Sequence, residues 1–186
     1  LHRRLRDQGL VRRRCGVGAL HCRHHRFLVE FFRWSVESLG SSLTTRQRII
    51  HTNGVDLVVT EAGDPSNPCV LLCHGFPESA HSWRHQMEPL AAAGYHVLAP
   101  DQRGYGFSSA PRDVAAYGIG NLTADLNGLL DATGHDTATF VGHDWGALVV
   151  WESGRLHPER VNAICSVSVP FTPWPMTPTE IGRAHV

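Results

Sequence analysis

From residue 46 onward the chain alternates short runs of apolar β-formers with longer stretches whose apolar residues recur at helical spacing. Residues 46–52 and 55–61 flank Asn53-Gly54, a dipeptide that supplies the positive φ angles of a tight type I′ turn, so the pattern predicts a β-hairpin. Residues 63–68 read as a loop. Cys69-Val70-Leu71-Leu72-Cys73 and residues 96–99 are continuous apolar runs, the kind buried on both faces of a parallel sheet. One helix is predicted around 82–93 and another over 119–133, with Leu122, Leu126, Leu129 and Leu130 on one stripe. A strand at 138–141, a helix at 147–156 closed by Pro158, and a strand at 161–169 complete the series. Alternation at this pace predicts an α/β fold: a mostly parallel sheet flanked by helices and entered through an antiparallel hairpin.

The first 44 residues have a different texture. Residues 1–53 carry eleven arginines against three acids, and residues 54–180 five arginines against fourteen acids, so the formal net charge of zero hides two unlike segments. The acidic body has no electrostatic footprint for nucleic acid, and no such partner is expected. No apolar run approaches the length of a membrane-spanning helix. Residues 1–33 have the arginine-rich, acid-poor bias of a transit peptide. Met87 is the first methionine, so residues 1–44 also read as an upstream region translated past its start, or as an extension expected to be disordered. Cys15, Cys22, His21, His24 and His25 gather there, but their spacing matches no zinc module and no metal is expected. Five cysteines without framework spacing fit a reducing compartment, and a cytoplasmic location is the expectation.

Candidate chemistry concentrates in Phe140-Val141-Gly142-His143-Asp144-Trp145-Gly146-Ala147. Gly-x-Asp-x-Gly between a strand and a helix has the spacing of a nucleophile elbow, the sharp turn that lifts one side chain above a sheet. Its apex is Asp144, where the better-known version carries serine. A carboxylate with an ordinary pKa of roughly 3.9 is ionised at neutral pH and can displace a leaving group from saturated carbon directly. The product is an ester whose carbonyl belongs to the enzyme, and water must then cleave it with the help of a base and an oxyanion hole. The amide of Trp145, the residue after the nucleophile, supplies half of that hole. Residues 74–78, 101–106 and 144–145 all follow strand ends, where α/β sheets gather their ligands. An ordinary turn aspartate is the plainer reading of Asp144. For His74, His143, Asp101, Arg103 and Glu78 the favoured roles are structural, and for Trp83 it is packing.

The motifs His74-Gly75-Phe76-Pro77-Glu78, Ser82-Trp83-Arg84-His85-Gln86, Asp101-Gln102-Arg103-Gly104-Tyr105-Gly106 and Val141-Gly142-His143-Asp144-Trp145-Gly146 together resemble the α/β-hydrolase fold family. Within it they resemble the epoxide hydrolases with an aspartate nucleophile, over residues 47–173. The resemblance implies that the Phe76 amide is the second oxyanion donor and that Pro77 follows in a cis turn. It implies that Phe76, Pro77 and Trp145 line the substrate site, and that no cofactor is needed. The implied reaction opens a small apolar epoxide through an ester on Asp144 to give a diol. Lid tyrosines protonate the ring oxygen, and a histidine–carboxylate pair activates water. Haloalkane dehalogenases, the alternative, commonly place asparagine at the position of Phe76, and phenylalanine has no side-chain donor for a halide. Fluoroacetate dehalogenases share the phenylalanine but usually carry arginine where Trp145 stands. A non-catalytic relative that keeps the pocket and loses the base is a further alternative.

In this family the acid and the histidine follow the nucleophile, and 42 residues follow Asp144. Residues 45–175 are therefore expected to be the N-terminal part of such a domain, without lid, acid or histidine, and inactive alone. A sheet cut at that point exposes a strand edge and helix faces, an aggregation hazard. Residues 176–186 read as a tail, with 180–186 resembling translated adapter sequence, so His185 is not taken as the missing base.

Overall fold

The computed structural model describes residues 45–171. The readings made for residues 1–44, including the Cys15, Cys22 and histidine cluster, and for the 176–186 tail lie outside the described residues. Asn53 and Gly54 take φ angles of 45° and 73°. They fold β1 (Arg46–Thr52) back onto β2 (Val55–Ala62) with Thr52 opposite Val55 and Arg46 opposite Glu61. β3 (Cys69–Cys73), β4 (His96–Pro100), β5 (Ala138–His143) and β6 (Val161–Val167) complete one six-stranded sheet in the order β1-β2-β4-β3-β5-β6. β1, β2 and β4 pair antiparallel in succession, and the pairs from β4 to β6 are parallel. This is the mixed, mostly parallel architecture that the alternating pattern implies.

Three helices, α1 (Arg84–Ala92), α2 (Ile119–Thr133) and α3 (Trp145–Leu156), lie between the parallel strands in sequence. Period-two alternation divides β3 between two cores. Cys69, Leu71 and Cys73 pack with Leu126, Leu129, Leu130, Phe140 and Val150, whereas Val70 and Leu72 pack with Trp83, Met87, Leu90 and Val141. Trp83 is thus a core residue, as its packing reading holds. From β3 the chain moves to β4 on one side and then crosses back to β5 on the other. The carboxyl ends of β3 and β5 accordingly border a topological switch point, where an open α/β sheet forms its crevice.

Some boundaries differ from the sequence pattern. Ala80–Trp83 is a 3-10 turn capped by Ser79, whose hydroxyl accepts the His81 amide, and the α-helix starts only at Arg84. β6 stops at Val167, two residues early, because Ser168 takes a φ of 70° and leaves the extended region. α3 begins at Trp145 because Asp144 itself makes the whole turn. On α2 the stripe is displaced: Leu126, Leu129 and Leu130 are buried, Leu122 is half-buried, and Thr123 and Asp125 are buried in its place. Asp125 tolerates this because Arg103 donates to both of its oxygens, at 2.6 and 2.5 Å, and Asn53 Nδ2 donates to Oδ1 at 2.9 Å. Arg103 also donates to the Ala116 carbonyl at 2.7 Å, which ties the loop after β4 to α2 and to the hairpin. Among the described residues no helix is long and apolar enough to cross a membrane.

Candidate active site

β5 carries the chain to Asp144, which sits at φ 52° and ψ −118° before α3 departs. A positive φ on a residue that carries a Cβ is strained and persists only where its surroundings enforce it. The flanking glycines show how. A Cβ on Gly142 would lie 2.4 Å from the Gly146 carbonyl oxygen and 2.7 Å from Ala147 Cα, so the start of α3 crosses directly over the strand. A Cβ on Gly146 would lie 2.3 Å from the Cys73 oxygen, so the helix also presses on the end of β3. Only glycine at both positions allows so sharp a turn.

The turn after β3 meets the elbow across the switch point. Phe76 N–H donates to Asp144 Oδ1 at 3.0 Å, and the Trp145 amide donates to the same carboxylate. The Phe76 amide is the main reason that the Asp144 carboxyl lies below the usual aspartate range; burial opposes it, and the Trp145 amide and His143 assist it. Both expected oxyanion donors therefore converge on the expected nucleophile. The Phe76–Pro77 peptide is cis, as the resemblance implies. Gly75 adds what the motifs did not disclose: a Cβ there would lie 2.5 Å from Asp144 Cβ and 2.8 Å from Oδ1. The carboxylate rests on bare backbone, and that glycine is part of the site.

The residues around this centre act as supports. The Glu78 carboxylate accepts Gly75 N–H at 3.2 Å and faces His143 Nδ1 at 3.2 Å, while its own amide donates to the Gly75 carbonyl at 3.1 Å. Burial alone would raise the Glu78 carboxyl, but the Gly75 amide and His143 outweigh it and hold it low. His74 is fully buried, and its Nε2 accepts the Gln102 amide at 3.1 Å. The ring proton therefore sits on Nδ1, which donates to the Gly75 carbonyl at 2.8 Å. Burial lowers the His74 pKa and keeps the ring neutral. Gln102 Nε2 donates back to the His74 carbonyl at 2.6 Å, and Asp101 Oδ1 accepts the Ala80 amide at 2.8 Å. The loop after β4 is thus stitched to the turn that holds Phe76.

Tyr105 is a second residue that the sequence reading passed over. Its ring stands edge-on to His74, with centroids 4.9 Å apart. Burial first, and then the charge of Asp144, push its phenol above the ordinary tyrosine range. Its position in the Asp101–Gly106 motif was the available signal, but that motif alone does not say which side chain turns toward the elbow. Phe76 is 62% exposed, a large apolar residue next to the carboxylate.

The arrangement can bind an oxyanion and present an ionised carboxylate. Over 132 residues the chain is 59% identical to Epoxide hydrolase A of Mycobacterium tuberculosis, covering 71% of this chain and 41% of that protein. It is 46% identical to Bifunctional epoxide hydrolase 2 of Sus scrofa over 71% of this chain and 24% of that one. The crystal structure of Epoxide Hydrolase A from Mycobacterium thermoresistibile superposes with a TM-score of 0.71 at 58% identity, over 76% of this chain and 44% of the other. The chain therefore spans less than half the length of these relatives. Residues 68–184 match the family described as alpha/beta hydrolase fold. With the elbow, the paired amides and the sheet order in agreement with that match, the chain belongs to the alpha/beta hydrolase fold family.

Proposed function

We propose that the whole protein is an epoxide hydrolase and that residues 45–175 form the N-terminal part of its catalytic domain. The observation that carries this reading is the Asp144 carboxylate anchored through Oδ1 on the Phe76 amide at 3.0 Å, with the Trp145 amide beside it. The oxygen away from Phe76 attacks an oxirane carbon, the carbon–oxygen bond of the ring breaks, and the ring oxygen takes up a proton. The resulting ester keeps its carbonyl oxygen on the two amides. Water then adds to that carbonyl carbon, and its proton passes to a base. The negative oxygen of the tetrahedral intermediate is stabilised by the same two N–H groups, each worth roughly 3–4 kcal/mol when a single donor is lost. Collapse breaks the ester carbon–oxygen bond, the base returns its proton to the departing alkoxide to free the diol, and Asp144 is restored with one oxygen from water.

Among the described residues the histidine–acid pair next to Asp144 is His143–Glu78, and Glu78 is already engaged by the Gly75 amide. That supports a scaffolding role for the pair, and we assign the proton donor and the hydrolytic base to the part of the whole protein beyond the span shared with its relatives. An apolar substrate is supported by the exposed Phe76 and by the absence of a side-chain donor there for halide. A cytoplasmic setting is part of the proposal, since Cys69, Cys73 and Cys165 are all free thiols.

The test is isotopic. With the whole protein in excess over styrene oxide in ¹⁸O-water, the first turnover is expected to leave label in the Asp144 peptide and none in the diol. Label in the diol with Asp144 unlabelled would show direct attack by water and sink the ester route. A second expectation concerns the bare backbone under the carboxylate. Gly75→Ala displaces Asp144 from its amides and should lower kcat/KM about 10²-fold, the usual scale for misplacing a reacting group by an ångström. Unchanged kinetics in a folded variant would remove Gly75 from the site.

A further inference from the structure

At the opposite end of the sheet from Asp144, three side chains with metal-binding chemistry meet. Cys69 opens β3 and His96 opens β4, and the two are direct neighbours in the parallel register. His135 reaches them from the turn after α2, just past Gly134, which closes that helix at φ 77°. We propose that Cys69, His96 and His135 form a binding site for a zinc-class divalent cation.

The geometry is close to what such an ion requires. One donor atom from each residue lies within 4.8 Å of the other two. In a tetrahedral zinc site, with metal–nitrogen bonds of about 2.0–2.1 Å and metal–sulfur bonds of about 2.3 Å, donor atoms stand roughly 3.3–3.8 Å apart. His96 Nδ1 and His135 Nε2, now 2.7 Å apart, would separate slightly to admit the ion. His135 can make that shift because it is only half-buried on a turn, whereas Cys69 and His96 are buried in the sheet. The same half-exposure gives an ion a way in from solvent.

The buried histidine is held in the orientation that ligation needs. His96 Nε2 lies 2.6 Å from Glu61 Oε1, and Glu61 is itself paired with Arg46 at 3.1 Å and Arg48 at 2.7 Å. A carboxylate clamped by two guanidiniums accepts a hydrogen bond from Nε2–H, which leaves Nδ1 as the ring nitrogen that faces His135. A carboxylate behind a histidine is the arrangement that fixes the tautomer and ring direction of metal ligands. One thiolate with two imidazoles suits zinc and excludes magnesium or calcium, which take oxygen ligands. On binding, the Cys69 thiol proton leaves to solvent and water completes the coordination. The ion would pin the turn between α2 and β5 to the starts of β3 and β4, independently of the epoxide chemistry.

Cobalt(II) is the spectroscopic probe, added to metal-free protein, with zinc used for melting curves. One equivalent of cobalt should give a thiolate-to-metal charge-transfer band together with tetrahedral d–d bands. Tm should rise with the logarithm of zinc concentration. Cys69→Ser should abolish the charge-transfer band, and His135→Gln should weaken binding at least about tenfold. Because His135 lies on a half-buried turn, its variant should melt like the parent without metal, which separates lost ligation from lost folding. Cys22→Ser should leave binding unchanged. Binding that survives both Cys69→Ser and His135→Gln, that disappears in Cys22→Ser, or that never occurs would overturn the proposal.

Discussion

Asp144→Ala is expected to abolish epoxide turnover by the whole protein, lowering kcat by at least about 10⁴-fold, the range found when a covalent catalytic residue is removed. Alanine cannot form the ester, and no other carboxylate among the described residues is held on the Phe76 and Trp145 amides. Diol formation with kcat within tenfold of the parent would show that another group attacks the ring. The pH dependence has a definite sign. Because the folded pKa of Asp144 is depressed, the carboxylate remains ionised through the whole neutral range. As pH falls below the ordinary aspartate range and through the folded pKa, protonation removes the nucleophile and weakens both amide hydrogen bonds. Activity and that share of stability are then lost together.

Arg103→Ala carries the largest expected effect on stability. Both side chains of the Arg103–Asp125 pair are 4% exposed, and the guanidinium supplies two of the hydrogen bonds at the Asp125 carboxylate. Removing it leaves a buried charge with Asn53 Nδ2 as its remaining side-chain donor. Breaking such a pair from one side costs about 3–5 kcal/mol, to be read as a fall in the urea midpoint at unchanged slope. Arg103→Lys should recover little, since a single ammonium cannot reproduce a two-pronged contact. The double replacement Arg103→Met with Asp125→Leu should be much milder than Arg103→Ala, because it leaves no uncompensated charge. A loss below about 1 kcal/mol for Arg103→Ala would place the pair with solvated surface ion pairs instead.

These two positions differ in how far the sequence discloses them. Asp144 is conspicuous because its motif is local: glycines stand two residues to either side, Gly142 required by contacts within the turn itself and Gly146 by the approach of β3. The hairpin is legible for the same reason, since Asn53 and Gly54 encode their own positive φ angles. Asp125 was hidden. A leucine stripe at helical spacing points to Leu122, and an acid on that helix reads as solvent-facing until its buried partner is known. That partner comes from the loop after β4, 22 residues away.

The same division applies to the sites. Residue types, turn geometry and the strand–helix alternation were determined by the sequence alone, because each depends on contacts between near neighbours. The encounter of Phe76 with Asp144 spans 68 residues, and that of Glu61 with His96 spans 35. The first depends on β3 lying beside β5 and the second on β2 lying beside β4, an order set by how the sheet is packed rather than by any short stretch of chain. Gly75 beneath the carboxylate, Tyr105 against His74, and the meeting of Cys69, His96 and His135 are consequences of that order. Tertiary structure decided them because only packing brings distant backbone within hydrogen-bonding reach.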